Sequence, residues 1–384
     1  MTAAAPPADP PRAGVAHQMA ARAAFFLAGF AMSAWAPLIP FAKARLNISD
    51  GHLGVLLLCL GTGSVIGMPA AGGLAGRFGC RKIITISALL ACGMLPVLAA
   101  APNVATVAVA LLLFGAAVGT LDVVMNVQAV IVEARSGRSM MSGFHGLYSV
   151  GSIAGASCVS ALLSLHATPV AAAVAVTLLS VATLAAAFPW LLPEGGGSGG
   201  PAFAVPRGLV LALGLFCFVM FLAEGSVLDW SAVLLTTLRG VDESHGGVGY
   251  VAFAVAMTAC RLTGDRIVAK LGARRVVIFG GLIAAGGFVL AAAVPSAIAS
   301  IIGFALVGLG ASNVVPVMFT AAGRQTAMPT NLAIAAITTL GYAGILLGPA
   351  AIGFISAVVG LPVALCFVAG LLLCVAAASV RVTW

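Results

Sequence analysis

The chain has 384 residues, 62% hydrophobic and 7% charged, with a net charge of +8. A soluble globular domain carries about 25% charged residues, so this composition cannot cover a water-facing surface and excludes an ordinary soluble fold. The positive balance does not point to nucleic acid, because the basic residues sit in short loops between apolar runs.

A bilayer core about 30 Å thick takes roughly 20 apolar residues per helix. Membrane β-strands would alternate apolar and polar residues over about 10 positions. Here the runs are continuous and rich in Ala, Leu, Gly and Val. Helices are then the remaining way to satisfy the backbone in lipid. The expected fold is an all-α polytopic membrane protein with twelve transmembrane helices.

In chain order, residues 1–19 are Pro/Ala-rich and read as a disordered tail without signal-peptide features. Runs at 20–42, 52–75, 82–101, 103–131, 140–165 and 168–192 form a first bundle of six. A Gly/Ser-rich linker spans 193–206. Runs at 207–236, 246–269, 274–294, 296–322, 330–357 and 360–381 form a second bundle within 207–384.

Charged groups inside a bilayer are costly, which makes each a candidate for function. In run one, Pro37 and Pro40 predict a distortion beside Trp35, a candidate cavity aromatic. Run four holds Asp122 in mid-span. Asn126 follows four residues later, on the same helix face. An acid in a water-accessible apolar cavity can take up and release a proton; a structural carboxylate is the alternative. His145 opens run five as a proton relay or an interfacial hydrogen-bonding group. Run seven carries Glu224 and Asp229, about 140° apart at 100° per residue. Glu224 suits a cavity, whereas Asp229, beside Trp230, suits the outer interface. In run eight Arg261 and Asp265 are one turn apart and are expected to pair. Asn313 with Pro316 predicts a broken, polar run ten. Tyr148, Trp230 and Tyr342 are further aromatics that suit either stacking against a solute or an interfacial belt, and Gly344, Gly348 and Gly353 in run eleven suit close packing. The eight cysteines include no CxxC pair, and no histidine spacing resembles a metal site. No cofactor is expected.

Sorting Lys and Arg by loop parity puts Arg12, Arg22, Arg77, Arg81, Lys82, Arg135, Arg138, Arg207, Arg266, Lys270, Arg274, Arg275, Arg324 and Arg381 on one side. Lys43, Arg45 and Arg239 fall on the other. Basic loops stay cytoplasmic, so both termini and the linker are expected inside.

The halves also repeat. Arg77-Phe78-Gly79-Cys80-Arg81-Lys82 follows run two, and Lys270-Leu271-Gly272-Ala273-Arg274-Arg275 follows run eight. The offset is 270 − 77 = 193 residues. Such internal repeats mark transporter folds with a substrate site between the halves.

These features resemble the major facilitator superfamily over residues 20–382. The stretch Gly72–Lys82 is similar to that family's loop between helices two and three, a Gly followed by Asp-Arg-x-Gly-Arg-Arg/Lys. Gly76 stands where the Asp is expected. Ala269 fills the matching place in the second half, with Asp265 one turn earlier. The resemblance implies that Arg77, Gly79, Arg81, Lys82, Arg261, Asp265, Lys270, Gly272, Arg274 and Arg275 belong to gating loops that lock the halves through charge pairs and helix ends. The stretches Asp122–Asn126, Phe144–Ser149, Glu224–Trp230, Asn313–Pro316 and Gly341–Gly344 resemble a bacterial inner-membrane branch distantly similar to fucose-type sugar permeases.

The expected function is secondary transport of a small sugar-like or amphipathic solute, proton-coupled, by a monomer in membrane lipid. An uncoupled facilitator or channel is the alternative. Absence of GxSxG, P-loop and paired His/Glu spacing argues against an enzyme or an ATP-driven pump. A sensor would need a soluble output region.

Overall fold

A computed structural model describes residues 14–48, 50–196, 205–242 and 245–382. The elements are α1 (Val15–Ala34), α2 (Ile39–Leu46), α3 (Asp50–Phe78), α4 (Cys80–Ala100), α5 (Val104–Ser136), α6 (Met141–Ser164) and α7 (Pro169–Ala187). They continue as α8 (Gly208–Leu238), α9 (Val248–Leu271), α10 (Ala273–Ala293), α11 (Ala297–Ala311), α12 (Val314–Arg324), α13 (Thr330–Val359) and α14 (Leu361–Ala378). There is no strand among the described residues.

Two of the twelve expected runs are broken in two. The first is α1 and α2, interrupted by a 3-10 turn at Ala36–Leu38 that contains Pro37. Proline lacks the N–H and clashes with the preceding turn, so the break falls where the sequence placed it. The tenth is α11 and α12, which part at Asn313. Among the described residues, eleven segments are long and apolar enough to cross a membrane. The twelfth, α9, has 24 residues but carries Arg261, Asp265, Arg266 and Lys270. The first helix starts at Val15, so residues 15–19, read from sequence as disordered, are helical. Residues 1–13 and the linker residues 197–204 lie outside the described ones.

The repeat governs the packing. In the first half α1 packs on α6 and α3 on α5; in the second α8 packs on α13 and α9 on α11. The backbone carbonyls of Phe26 and Phe30 lie where side chains on Gly151 and Gly155 would stand, so α1 and α6 approach closely. Gly79 (φ 84°, ψ 156°) separates α3 from α4, and Gly272 (φ 78°, ψ 154°) separates α9 from α10. Both need the positive φ that glycine tolerates, and 272 − 79 = 193. The Asn103 and Ser296 side chains, also 193 apart, cap the first turns of α5 and α11.

The end away from the basic loops carries a matched pair that sequence reading took only as topology signals. Arg45 donates from Nε to the carbonyl of Ala101 (3.0 Å), and from its terminal nitrogens to Ala99 (2.5 Å) and Leu98 (2.8 Å). Arg239 donates to the carbonyls of Ala291 (3.1 Å) and Ala292 (2.9 Å) and to the Ser300 hydroxyl (3.1 Å). The acceptors Leu98 and Ala99 map onto Ala291 and Ala292 at the 193-residue offset. Each guanidinium satisfies carbonyls at a helix C-terminus and opposes the negative end of its dipole. Replacing Arg45 or Arg239 with Met should cost about 1–3 kcal/mol of stability and lower the thermal midpoint of the purified protein. Arg274→Met, at an exposed site with no described partner, should leave the midpoint unchanged.

Candidate functional site

Between the halves, at mid-span, lies a cavity of about 110 Å³ lined by Asp122, Met125, Asn126, His145, Tyr148, Phe221, Glu224, Arg261, Phe319, Tyr342 and Ile345. Helices α5 and α6 supply one wall, and α8, α9, α12 and α13 the other. Six residues singled out in the sequence as binding, stacking or coupling candidates meet here: Asp122, Asn126, His145, Tyr148, Glu224 and Tyr342. Arg261, read as a gating residue, joins them.

The α5 wall is an acceptor surface. Asn126 is buried and donates its amide to the Asp122 carbonyl one turn earlier (2.9 Å). Its Oδ1 has no partner. The Asp122 side chain is buried and faces no cation within ion-pairing distance among the described residues. The opposite wall holds the cation. Arg261 is 7% exposed. Its guanidinium pairs with Glu224 (3.1 Å) and donates to the Ser312 carbonyl (3.2 Å) and the Ser149 hydroxyl (3.3 Å). The expected pairing of Arg261 with Asp265 is corrected here. Arg261 turns into the cavity toward α8, while Asp265 turns to the end of α6. A buried guanidinium needs several acceptors, and one residue on its own helix face cannot supply them.

Aromatic groups fix the remaining walls. His145 Nδ1 lies 3.0 Å from the Met141 carbonyl. Its ring sits between Phe25 and Phe319, at centroid distances of 5.1 Å and 5.5 Å. Tyr342 meets Phe221 edge-to-face at 5.9 Å. Phe221 and Phe319 join the site without having been singled out in the sequence, where they carried no signal beyond apolar periodicity.

Three candidates lie elsewhere. Trp35 is buried in the apolar cluster around Phe30, Leu56 and Phe114. Asp229 is exposed on α8. Asn313 is buried at the α11–α12 break. Its amide approaches the Cys260 carbonyl (3.4 Å) and the Ser312 hydroxyl (3.0 Å).

Among the described residues, the hydrogen bonds seen between the halves lie level with the cavity or toward the basic loops. Beside Arg261 and Ser149, Asp265 accepts from the Gly143 N–H with both oxygens at 3.1 Å. Glu133 accepts from the Thr320 hydroxyl (2.6 Å) and from the N–H groups of Met140 (2.7 Å) and Met141 (2.9 Å). Asn331 donates to the Gly72 carbonyl (2.7 Å). The start of α6 is thus held by two carboxylates, one from each half, where free N–H groups and the helix dipole favour negative charge. Gly72 and Asp265 are themselves 193 apart, so the two contacts occupy matched places with different chemistry. Of the other gating candidates, Arg77 lies over the Phe78 ring at 5.1 Å. Arg81 donates to the carbonyls of Leu191 (2.8 Å) and Pro189 (3.0 Å). Lys82, Lys270, Arg274 and Arg275 are exposed. Asp265→Ala should raise hydrogen exchange at residues 142–144 by about two- to fivefold. Asp265→Asn, which keeps an acceptor oxygen, should raise it less.

Comparison with known proteins agrees with this architecture. The sequence profile of the Major Facilitator Superfamily matches residues 23–242. An uncharacterised MFS-type transporter of Yersinia pestis is 56% identical over 374 residues, covering 96% of this chain and 97% of its own. Membrane protein MosC of Rhizobium meliloti is 35% identical over 360 residues, covering 93% and 88%. Among solved structures, the transporter FucP in the outward conformation superposes with a TM-score of 0.78 at 16% identity, covering 96% of this chain and 99% of its own. The proton:xylose symporter XylE gives 0.75 at 14% identity, covering 95% of each chain. The chain belongs to the major facilitator superfamily and is built as a membrane transporter.

Proposed function

We propose that this transporter is a proton-coupled permease for a small, donor-rich solute, which binds in the central cavity and crosses by alternating access. One observation carries the reading. The cavity is bordered on α5 by buried acceptors without a partner among the described residues, Asp122 and the Asn126 Oδ1, while its guanidinium is already occupied by Glu224, Ser149 and the Ser312 carbonyl.

Such a wall asks for hydroxyl or amine donors from the solute. Aromatic faces at Tyr148, Phe221, Phe319 and Tyr342 suit the apolar face of a ring-sized molecule. The structural neighbours include a fucose:proton symporter and a proton:xylose symporter, which fits a polyhydroxylated solute. Another neighbour is a human organic anion transporter, but an anion would have to displace Glu224 from Arg261.

Proton coupling follows from Asp122. A charge buried away from a partner is costly, and a proton from water in the cavity can remove that cost. With the halves joined on the basic-loop side, rocking them about the cavity would expose it to each side in turn. The positive-inside bias supports cytoplasmic basic loops and termini, and the same reading puts the protein in a bacterial inner membrane as a monomer.

The test begins with a thermal-shift screen of sugars, organic acids and cationic drugs, because a ligand of the native state raises its stability. With a ligand in hand, Asp122→Asn is compared with the native protein in proteoliposomes. Counterflow should survive and gradient-driven transport should be lost. Full gradient-driven transport with an unchanged pH profile would instead mean that Asp122 does not carry the proton, whereas a pH-independent flux through the native protein would indicate an uncoupled facilitator. Glu224→Gln should weaken solute binding, because it frees Arg261 and disturbs the facing wall. A flattened pH dependence with unchanged binding would make Glu224 a second proton site.

A further inference from the structure

We infer that the residues entering the linker, Leu191–Gly196, form a strap that holds the basic-loop side closed, with Arg81 and Gln128 as its positioning residues. The inference rests on the alternating-access reading above, but its test needs no solute.

A Gly-rich connection would be expected to run free in solvent. Its described part instead enters the protein. Leu191 and Leu192 are buried, at 0% and 2% exposure. The Leu192 N–H donates to the Gln128 Oε1 (3.0 Å), and its carbonyl accepts from the Arg81 N–H (2.8 Å). The Cys80 N–H donates to the Glu194 carbonyl (3.2 Å). The Arg81 side chain clamps the carbonyls of Leu191 and Pro189, and Glu194 pairs with Arg135 at 2.5 Å. The strap therefore caps the α3–α4 turn and occupies the one buried glutamine of α5.

Its far end reaches the other half. The Ala75 carbonyl and Gly76 lie where a side chain on Gly195 would stand, so the strap lies directly on α3. A Cβ on Gly196 would sit 3.3 Å from Val127 and 3.8 Å from the Asn331 backbone nitrogen at the start of α13. Asn331 in turn donates to Gly72 of α3. Opening this side requires α3 and α13 to part at Gly72 and Asn331, and the strap fills the same corner while bonded to the first half. At the matching place in the second half, Arg274, 193 residues after Arg81, is exposed and has no partner among the described residues.

The test is hydrogen exchange on the full-length protein in lipid nanodiscs, comparing Gln128→Leu and Arg81→Gln with Arg274→Gln. Loss of one strap hydrogen bond should raise exchange across residues 191–196 by about tenfold. The start of α13, residues 331–335, should loosen in step, and Arg274→Gln should change neither segment. Faster exchange in the strap with an unchanged α13 would overturn the inference, leaving a passive tether. An equal effect from Arg274→Gln would overturn it too, by making the loop charge responsible. If Gln128→Leu does not fold, Arg81→Gln alone decides. These outcomes are independent of the coupling experiments, so failure of either reading is separately visible.

Discussion

A guanidinium buried among helices must find an acceptor for the N–H groups it turns inward, and Arg261 finds them on three elements at once. Glu224 on α8 balances its charge, the Ser312 carbonyl at the α11–α12 break takes Nε, and Ser149 on α6 takes a third bond across the halves. Pro316, four residues on, has no N–H with which to bond the Ser312 carbonyl inside the helix, which leaves that carbonyl available to Arg261. The same arrangement leaves Asp122 and Asn126 on the facing wall without a cation. The division of the cavity into an occupied wall and a receptive wall thus follows from where one arginine satisfies itself. Breaking a buried pair by removing one partner leaves an uncompensated charge, and costs about 3–5 kcal/mol.

Helix ends impose the second constraint. Every helix leaves unpaired N–H groups at its start and carbonyls at its finish, and lipid offers nothing to bond them. This chain meets the requirement with charge of the right sign at each end. Carboxylates of Glu133 and Asp265 lie at the start of α6, and guanidinium groups of Arg45 and Arg239 lie at the finishes of α4 and α10. The carboxylates also reach across the halves, Asp265 to Gly143 and Glu133 to Thr320, whereas the arginine caps stay within each half. A rocking motion would therefore break those two crossing contacts while leaving the arginine caps whole.

Much of the fold was legible in the sequence, because apolar run length and basic-loop parity are local properties. The breaks at Pro37 and Asn313 were legible for the same reason. The central acids were found because a charge in an apolar run stands out. What stayed hidden were partners distant along the chain. Arg261 was assigned to Asp265 on its own helix face, when its partner lies 37 residues away on α8. Thr320 and Glu133, 187 residues apart, and Asn331 and Gly72, 259 residues apart, left no mark on periodicity. Phe221 and Phe319 were indistinguishable from lipid-facing or core aromatics. The Gly-rich composition of the linker concealed that its first residues are packed.

The strap has a consequence for the order of synthesis. The groups that bond Leu191–Glu194 are Cys80, Arg81, Gln128 and Arg135, all of which precede the strap in the chain. Domains form in turn as a chain emerges from the ribosome. The first six passes can therefore close their own underside before α8 has been translated, and the later passes then assemble against a corner that is already built.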